Sequence, residues 1–316
     1  MIYGEGDGVE AAVALLREAG FAVSQTCWSR PSCFDFAARK SENLIFIKVQ
    51  PDVDGLSQSD STELKSISRS VSAASLLISK NTREKPLEDD TVYSRYDVLA
   101  VTPRTFKNVV FSRTHPLIQA GPGGYYVDID GAAIRRRRQQ LGLSVGKMAE
   151  MVGTSRRTLY GYERGMAKAS VTAAYSVICT LGIPVARAVD VFEKPAKQHE
   201  CLLLATAKRV VAKHKLLMKI FRKLDYYSII TVRKAPFDFV ISVPEDKMKI
   251  IGGIADSNEP RLNRRVDEIL SVSKVVQAHP IFITDGQKLS NKDIPCIQSD
   301  ELSKIKSPED LISNLT

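Results

Sequence analysis

Residues 143–165, which read LSVGKMAEMVGTSRRTLYGYERG, decide the fold of the middle of the chain. Residues that cap helix N-termini precede two short stretches of helical periodicity, and glycine follows each stretch. Ser144 is expected to begin the first helix, Gly153 to make the turn, and Thr154 or Ser155 to begin the second helix. The stretch therefore predicts two short helices joined by a tight turn.

The first helix is expected to span 145–152 and the second to end near 164. Their inward positions are apolar: Met148, Ala149, Val152, Leu159 and Tyr162. Because two short helices bury little surface alone, they need a platform of neighbouring helices. Asp130 is expected to begin one over 131–140, ended by Gly142, with Arg135–Arg138 projecting around it. Ser170 is expected to begin the other, whose buried stripe is Ala174, Val177, Ile178 and Leu181.

The second short helix is left exposed in this arrangement, and a DNA major groove admits one helix. Its first turn carries Arg156 and Arg157, whose guanidinium groups can donate two hydrogen bonds to O6 and N7 of guanine. Thr154 and Ser155 offer hydroxyl groups to phosphate, as do the free N–H groups of the helix start. The residues favour double-stranded DNA as the partner; a module that binds another protein is the alternative.

The segment 143–165 closely resembles the helix-turn-helix of phage-repressor/Cro-type domains, and the likeness extends over residues 130–183. The resemblance implies that the second helix, at about 155–164, reads the major groove, and that Glu163 is structural. It also implies a homodimer on two half-sites. One position departs from the family, since Val145 stands where Gln or Arg often touches phosphate. The candidate DNA-binding residues are Ser144, Thr154, Ser155, Arg156, Arg157, Tyr160 and Gly161.

The whole chain also resembles archaeal HTH-type transcriptional regulators, in which such a domain lies between two α/β regions. In that group the domain follows a linker that is similar to residues 121–125, GPGGY. The resemblance implies a regulator of transcription and leaves its mechanism open.

Positive charge is concentrated in two parts of the chain. Residues 131–170 hold nine Lys and Arg against two Glu, and residues 194–223 hold nine against one Glu, within a chain of net charge +9. Such a distribution is typical of proteins that bind polyanions. The second region predicts a basic amphipathic helix over 200–224. Its lysines either contact the DNA backbone or form the solvated face of a packed helix.

The chain is expected to be an α/β multidomain protein with a central all-α helix-turn-helix domain. The expected divisions are an α/β domain over 1–112, a linker over 113–129, the helix-turn-helix domain over 130–192, and a basic helix with a second α/β domain over 193–316. The linker assignment rests on two Pro and three Gly in that segment.

The two α/β regions repeat the same features in the same order, which predicts an internal duplication. Each has a Phe-Asp-Phe triplet, a charged hairpin tip, a strand, an Asp, a helix and a short apolar strand. The two aspartates are 17 residues apart in the first region and 18 in the second. The matched segments are Phe34–Phe36 with Phe237–Phe239, 39–43 with 244–247, 44–49 with 249–254, Asp52 with Asp256, 60–74 with 260–277, and 76–79 with 281–284.

The order of these elements resembles the restriction-endonuclease-like PD-(D/E)xK fold, whose nucleases use an Asp and a Glu to hold Mg²⁺ and a Lys to position water. Asp35 suits the first role. The following strand reads Ile47-Lys48-Val49-Gln50, so Lys48 replaces the Glu and Gln50 the Lys. We expect a nuclease-like fold without enzyme activity, metal site or catalytic residues; a divergent Mg²⁺-dependent nuclease is the alternative. Asp35 and Asp238 are expected to form hydrogen bonds at a strand. Lys48 either touches phosphate or is solvated.

The five cysteines form no CxxC pair, and their odd number argues against a disulfide framework, so we expect reduced thiols in a cytoplasmic protein. The four histidines are scattered, and no glycine-rich nucleotide-binding loop is present. No cofactor is therefore expected. The chain has no apolar run long enough for a membrane span, and its acidic first residues differ from a secretory signal.

Overall fold

The computed structural model describes residues 5–83, 85–195, 228–243, 248–255, 259, 261–284 and 293–298. The chain divides into two compact units: residues 1–77 together with 192–316 form the first, and residues 78–191 form the second. The boundary at 77/78 differs from the expected one at 112/113. The expected basic helix of 200–224, the tip at 244–247 and Asp256 lie outside the described residues.

The N-terminal half of the first unit is an α/β layer. Its elements are α1 (Glu5–Glu18), β1 (Ala22–Val23), β2 (Phe36–Lys40), β3 (Asn43–Val49), α2 (Gln58–Val71) and β4 (Ala74–Ile78), with a 3-10 turn at Val53–Gly55. The strands lie in the order β1-β2-β3-β4. Strands β2 and β3 form an antiparallel hairpin in which Phe36 faces Ile47. Near-continuous burial of β3 from Leu44 to Ile47 reflects a sheet covered on both faces.

The second unit begins with short strands and one helix. These are β5 (Asn81–Thr82), β6 (Lys85–Pro86), β7 (Thr91–Arg95), β8 (Val98–Val101), α3 (Pro103–Ser112), β9 (Ile118–Gly121) and β10 (Gly124–Ile129). The segment 113–129, expected to be a linker, therefore contains the β9–β10 hairpin. The reason is that β9 pairs in parallel with β7 and antiparallel with β10. These pairings join residues 91–95 to the hairpin, so residues 78–112 belong with this unit.

Four helices complete the second unit. They are α4 (Gly131–Gln140), α5 (Val145–Val152), α6 (Arg156–Glu163) and α7 (Val171–Leu181), with short strands β11 (Ala169–Ser170) and β12 (Ala186–Arg187) that both pair with β10. Val127 and Ile129 of the hairpin join the apolar core of the helices. Each fully buried aliphatic side chain contributes about 1.5–3 kcal/mol. The hairpin is thus part of the helical domain's core.

The C-terminal half of the first unit repeats the α/β order. Its described elements are β13 (Ser228–Thr231), β14 (Phe239–Val243), β15 (Met248–Ile254), α8 (Leu262–Val276), β16 (His279–Thr284) and β17 (Cys296–Gln298), in the order β13-β14-β15-β16-β17. Strands β14 and β15 are antiparallel, and β15, β16 and β17 are parallel. In this half the expected helix and strands are present within two residues of their predicted ends.

The two halves of the first unit exchange helix contacts. Helix α8 packs on β2 of the first half as well as on β15 and β16, and α2 packs on β13 and β14 as well as on β3. Arg39 of β2 donates to the carbonyl oxygens of Val275 and Val276 at the end of α8, at 2.6 and 2.9 Å. Ser242 of β14 donates to the carbonyl oxygen of Ser70 near the end of α2, at 2.7 Å.

Two glutamates tie the helices to the opposite half in the same way. Each lies eight residues before the last residue of its helix. Glu268 accepts hydrogen bonds from the backbone N–H groups of Trp28 and Ser29, at 2.8 and 2.9 Å. Glu63 accepts them from the N–H groups of residues 233–234, at 2.9 and 2.8 Å. Because these bonds join the two halves reciprocally, neither half completes its hydrogen bonding without the other.

None of the helices in the described part of the chain is long and apolar enough to span a bilayer. Cys27, Cys33, Cys179 and Cys296 are free thiols.

Candidate nucleic-acid interface

The helices of the second unit begin at the predicted residues. The side chains of Asp130, Ser144, Ser155 and Ser170 accept hydrogen bonds from backbone N–H groups three residues later, at 2.9, 3.0, 3.0 and 3.2 Å. Each such cap contributes about 1 kcal/mol. Of the two residues considered for α6, Ser155 is the cap. The predicted bounds of α4 and α5 are confirmed, and α6 ends at Glu163.

The turn between α5 and α6 depends on Gly153. Its φ of 72° lies in the left-handed region, which a residue with a Cβ adopts at a cost. The following N–H, of Thr154, donates to the carbonyl oxygen of Ala149 at 2.9 Å. This glycine ending fixes the angle at which α6 leaves α5.

Helix α6 buries one face and exposes the other. Leu159 and Tyr162 are 0% and 5% exposed and belong to the core. Ser144, Ser155, Arg156, Arg157 and Tyr160 are exposed, whereas Thr154 and Gly161 are half-buried. Positions three and four apart share a helix face, so Arg157, Tyr160 and Gly161 lie along one outer side.

Arg156 lies beside the start of α5. A Cβ built on Gly146 would come within 2.8 Å of Nε of Arg156, so the guanidinium lies directly over that glycine. Ser144 caps the same helix start. The structure therefore brings Arg156 and the first turn of α5 together. Arg156 and Arg157 make no hydrogen bond or ion pair to any described residue, so their donors are available to a ligand.

One of the four consecutive arginines does not project outward as expected. Arg138 is 8% exposed, and its Nε and Nη2 donate to the carboxylate of Glu163 at 2.5 and 3.1 Å. Its Nη1 donates to the carbonyl oxygen of Leu143 at 2.7 Å. The hydrogen bonds to Glu163 raise the pKa of Arg138 above its ordinary value. Helical spacing from buried Ile134, four residues earlier, is the signal that could have placed Arg138 inside.

Other basic side chains of this region are also held by the protein. Arg137 donates from Nε to the carbonyl oxygen of Leu181 at 3.1 Å, and Lys147 pairs with Glu150 at 3.2 Å. Lys168 donates to Gln119. The positive charge available to a polyanion is therefore smaller than the count of Lys and Arg, and it includes the first turn of α6.

The first unit contains the candidate nuclease position. Asp35 accepts a hydrogen bond from the N–H of Val49 at 2.7 Å. It also forms an ion pair with Nζ of Lys48 at 2.7 Å. Lys48 also donates to the carbonyl oxygen of Ser32 at 3.1 Å, and its side chain is 22% exposed. Lys48 is therefore a partly exposed lysine paired with Asp35, and a phosphate contact by it stays a prediction.

Asp238 occupies the matching position in the second half. It accepts the N–H of Ile254 at 2.6 Å, as Asp35 accepts that of Val49. Arg30 pairs with it at 2.7 Å, and Arg265 donates to its other oxygen. The predicted hydrogen-bonding role of both aspartates is thus present.

These residues do not fit a Mg²⁺ site. A nuclease of the PD-(D/E)xK type needs at least two carboxylates facing one ion. Here a Lys or Arg side chain already pairs with each aspartate. Within the described residues, no three His, Cys, Asp or Glu side chains are grouped so that they could hold a metal ion.

Comparisons with known proteins find two family models in the chain. Residues 7–116 match the family model described as a PD-(D/E)XK superfamily domain, and residues 134–187 match one described as helix-turn-helix. A solved structure titled as a SinR protein/SinI protein complex is 26% identical, covering 29% of this chain and 86% of that chain, with a TM-score of 0.16.

Curated relatives match almost the whole chain. A protein of Archaeoglobus fulgidus is 31% identical, covering 97% of this chain and 96% of its own. Proteins of Methanococcoides burtonii and Methanocaldococcus jannaschii are each 30% identical, covering 96% and 97% of this chain and 94% and 95% of theirs. All three are named "Putative HTH-type transcriptional regulatory protein", with a locus label added for the last. The chain belongs to this archaeal family of HTH-type transcriptional regulatory proteins.

Proposed function

We propose that this chain is a sequence-specific regulator of transcription that binds double-stranded DNA with α6 in the major groove. The observation that carries the proposal is the pair of exposed arginines, Arg156 and Arg157, in the first turn of a helix whose opposite face is buried. Their unpaired guanidinium groups suit guanine O6 and N7. The names of the relatives support the regulatory role.

The remaining candidate residues fit phosphate contacts. Ser144 and Ser155 stand at helix starts, where backbone N–H groups and hydroxyls favour an anion. Tyr160 and Gly161 lie one turn further along the outer face of α6. We assign Arg157 to a contact with a base. Arg156, whose guanidinium lies over Gly146, we assign to a contact with the DNA near the start of α5.

We propose that two copies bind together, since repressor-type domains place two recognition helices one DNA turn apart. Sedimentation of the full chain, alone and with a selected duplex, tests the stoichiometry. Two chains per site support the proposal, and one chain per site contradicts it. A DNA-binding role agrees with the cytoplasmic location that the sequence predicts.

In vitro selection from random duplexes tests the recognition proposal. A defined consensus should emerge, and Arg157→Ala should cost about 1–3 kcal/mol on it while relaxing one base position. Arg69→Ala, on the exposed surface of α2, is the matched control and should bind as the native chain does. Retention of full affinity and base preference by both Arg156→Ala and Arg157→Ala would remove α6 from the recognition role.

We propose further that the first unit is a duplicated nuclease-like scaffold without nuclease activity. The duplication is supported by matched bonds: Arg39 and Ser242, each four residues after the central Asp of its triplet, hold the end of the other half's helix. Phe34 and Phe237, which are equivalent in the two triplets, contact each other at 6.1 Å between ring centroids. Equivalent residues contact each other where they lie near a two-fold axis. The domain division we propose combines residues 1–77 with 192–316.

The alternative, a Mg²⁺-dependent nuclease, has in its favour the PD-(D/E)XK match over residues 7–116. Incubation of labelled duplex DNA with the full chain and Mg²⁺ or Mn²⁺ separates the two readings. We expect no cleavage, because Lys48 pairs with Asp35. Cleavage that disappears in Asp35→Asn would establish the nuclease instead.

A further inference from the structure

The first unit contains a cavity of about 350 Å³ beside Asp35. Its lining includes Trp28, Ser32, Lys48 and Arg261. Sites for small molecules begin at about 300 Å³, so the cavity has the size of one modest ligand. The proposed DNA-reading helix belongs to the other unit and does not account for it.

The wall formed by residues 27–33 is held rigidly from both sides. Glu268 binds the N–H groups of Trp28 and Ser29, and the N–H of Cys33 donates to the carbonyl oxygen of Lys234 at 2.8 Å. Arg30 is fixed by ion pairs to Asp238 and Glu259 at 2.7 and 2.8 Å. A preformed wall reduces the entropy that a ligand loses on binding.

Within the part of the chain that the structure describes, one cation at the cavity has no charged partner. The charge of Lys48 is balanced by its ion pair with Asp35. The charges of Arg30 and Arg265 are balanced by ion pairs with Asp238 and Glu259. Arg261 is exposed, and its side chain makes no hydrogen bond or ion pair to any described residue. Its φ of 68° is an uncommon backbone conformation for a residue other than glycine. The cavity therefore presents one free guanidinium, which suits a phosphate group.

The aromatic side chain of Trp28, on another side of the cavity, indicates what the rest of the ligand is. The indole of Trp28 is 47% exposed although the residue's backbone is fixed, so a large flat apolar surface is available. Nucleobases stack on such rings. The hydroxyl of Ser32, which lines the same cavity, can donate to phosphate or ribose.

We propose that this cavity binds a nucleoside phosphate, with the base against Trp28 and the phosphate on Arg261. The ligand is either a free nucleotide or the phosphorylated end of a DNA strand, which present the same chemistry. Binding uses no metal and breaks no bond. The site lies in the first unit, and its occupancy does not depend on α6 being the recognition helix.

The full chain offers a direct readout, because Trp28 is its one tryptophan. Its fluorescence is titrated with AMP and, separately, with a short 5′-phosphorylated oligonucleotide, beside adenosine, inorganic phosphate and the unphosphorylated oligonucleotide. We expect saturable quenching below about 1 mM by AMP or by the phosphorylated oligonucleotide, with the three controls at least about tenfold weaker. The tighter of the two identifies the source of the ligand.

Substitutions locate the effect. Arg261→Gln should weaken the quenching ligand about tenfold or more, whereas Arg17→Gln, on the exposed side of α1, should leave it unchanged. Calorimetric titration of Trp28→Ala should show a similar loss, with circular dichroism confirming the fold of each variant. Absence of saturable quenching, equal binding by Arg261→Gln and the native chain, or an equal loss in Arg17→Gln would each overturn the proposal.

Discussion

Arg138 of α4 and Glu163 of α6 form a pair of parallel hydrogen bonds inside the helix-turn-helix unit, at 2.5 and 3.1 Å. The two side chains are only 10% and 5% exposed. Residues 25 apart in sequence thus connect the platform helix to the end of the proposed recognition helix. The pair holds α6 in place while its outer face remains available.

Glu163→Gln should strongly reduce the stability of this unit against unfolding. Removing one charge from a buried ion pair leaves the other uncompensated, which typically costs about 3–5 kcal/mol. Hydrogen exchange of the α4 and α6 amides in the full chain measures the loss. Glu150→Gln is the matched control, because Glu150 is 72% exposed and pairs with Lys147 at the surface; it should cost less than about 1 kcal/mol. Equal effects of the two variants would contradict the structural role of Glu163.

Gly146→Ala should act on stability and on binding in opposite directions. Alanine favours the helix by about 0.5–1 kcal/mol relative to glycine. Its Cβ would lie 2.8 Å from Nε of Arg156, so the guanidinium must move. We expect α5 to become slightly more protected from hydrogen exchange while affinity for a selected duplex falls about tenfold.

The control for that prediction is the same change made in an Arg156→Ala background. If Gly146→Ala acts through the guanidinium, it should cost no further affinity there, and the double-mutant cycle should show strong coupling. Equal losses in both backgrounds would mean that Gly146 acts independently of Arg156.

A lower pH should reduce the unfolding free energy of the first unit, partly through protonation of Asp60 of α2. Burial would raise the pKa of Asp60, but hydrogen bonds from Lys234 and Ser57 outweigh it and lower the pKa below its ordinary value. A depressed carboxyl pKa adds stability above the unfolded value near 4, and that stability is lost as the pH falls through the folded value. The unfolding free energy should therefore fall less from about pH 7 to pH 3 in Asp60→Asn than in the native chain.

Urea unfolding followed by Trp28 fluorescence measures this difference, because Trp28 lies in the same unit as Asp60. Glu18→Gln, at an exposed position of α1, is the control and should keep the native pH dependence. If the unfolding free energy of Asp60→Asn fell with pH as steeply as that of the native chain, the interaction of Lys234 with Asp60 would not contribute to the pH dependence of stability.

The sequence predicted most where the signals are local. Ser144, Gly153 and Ser155 act within three or four residues, so the ends of α4, α5 and α6 followed from caps and a glycine turn. Contacts between distant residues were less predictable. The burial of Arg138 depends on Glu163, and the ion pair of Lys48 depends on a strand partner that a linear pattern does not identify.

The same reason explains why the compact units divide at 77/78 and not at the expected 112/113. Glycine and proline in 113–129 suggested a linker, yet β9 finds a parallel partner in β7, from residues 91–95. The proposed duplication rests on matched spacing in the sequence, whereas the contacts that α2 and α8 make with the opposite halves join residues more than 150 positions apart. Such pairings form only when distant parts of the chain pack together in the folded unit, so the periodicity of the sequence does not indicate them.

The most direct test of the account compares guanine with 7-deazaguanine, which lacks the N7 acceptor, at each guanine of a selected duplex. The native chain should lose about 1–2 kcal/mol at one position, and Arg157→Ala should lose nothing further there. That result would identify a guanidinium of α6 as the reader of that base. Equal losses for the native chain and Arg157→Ala at every guanine would contradict major-groove recognition by α6.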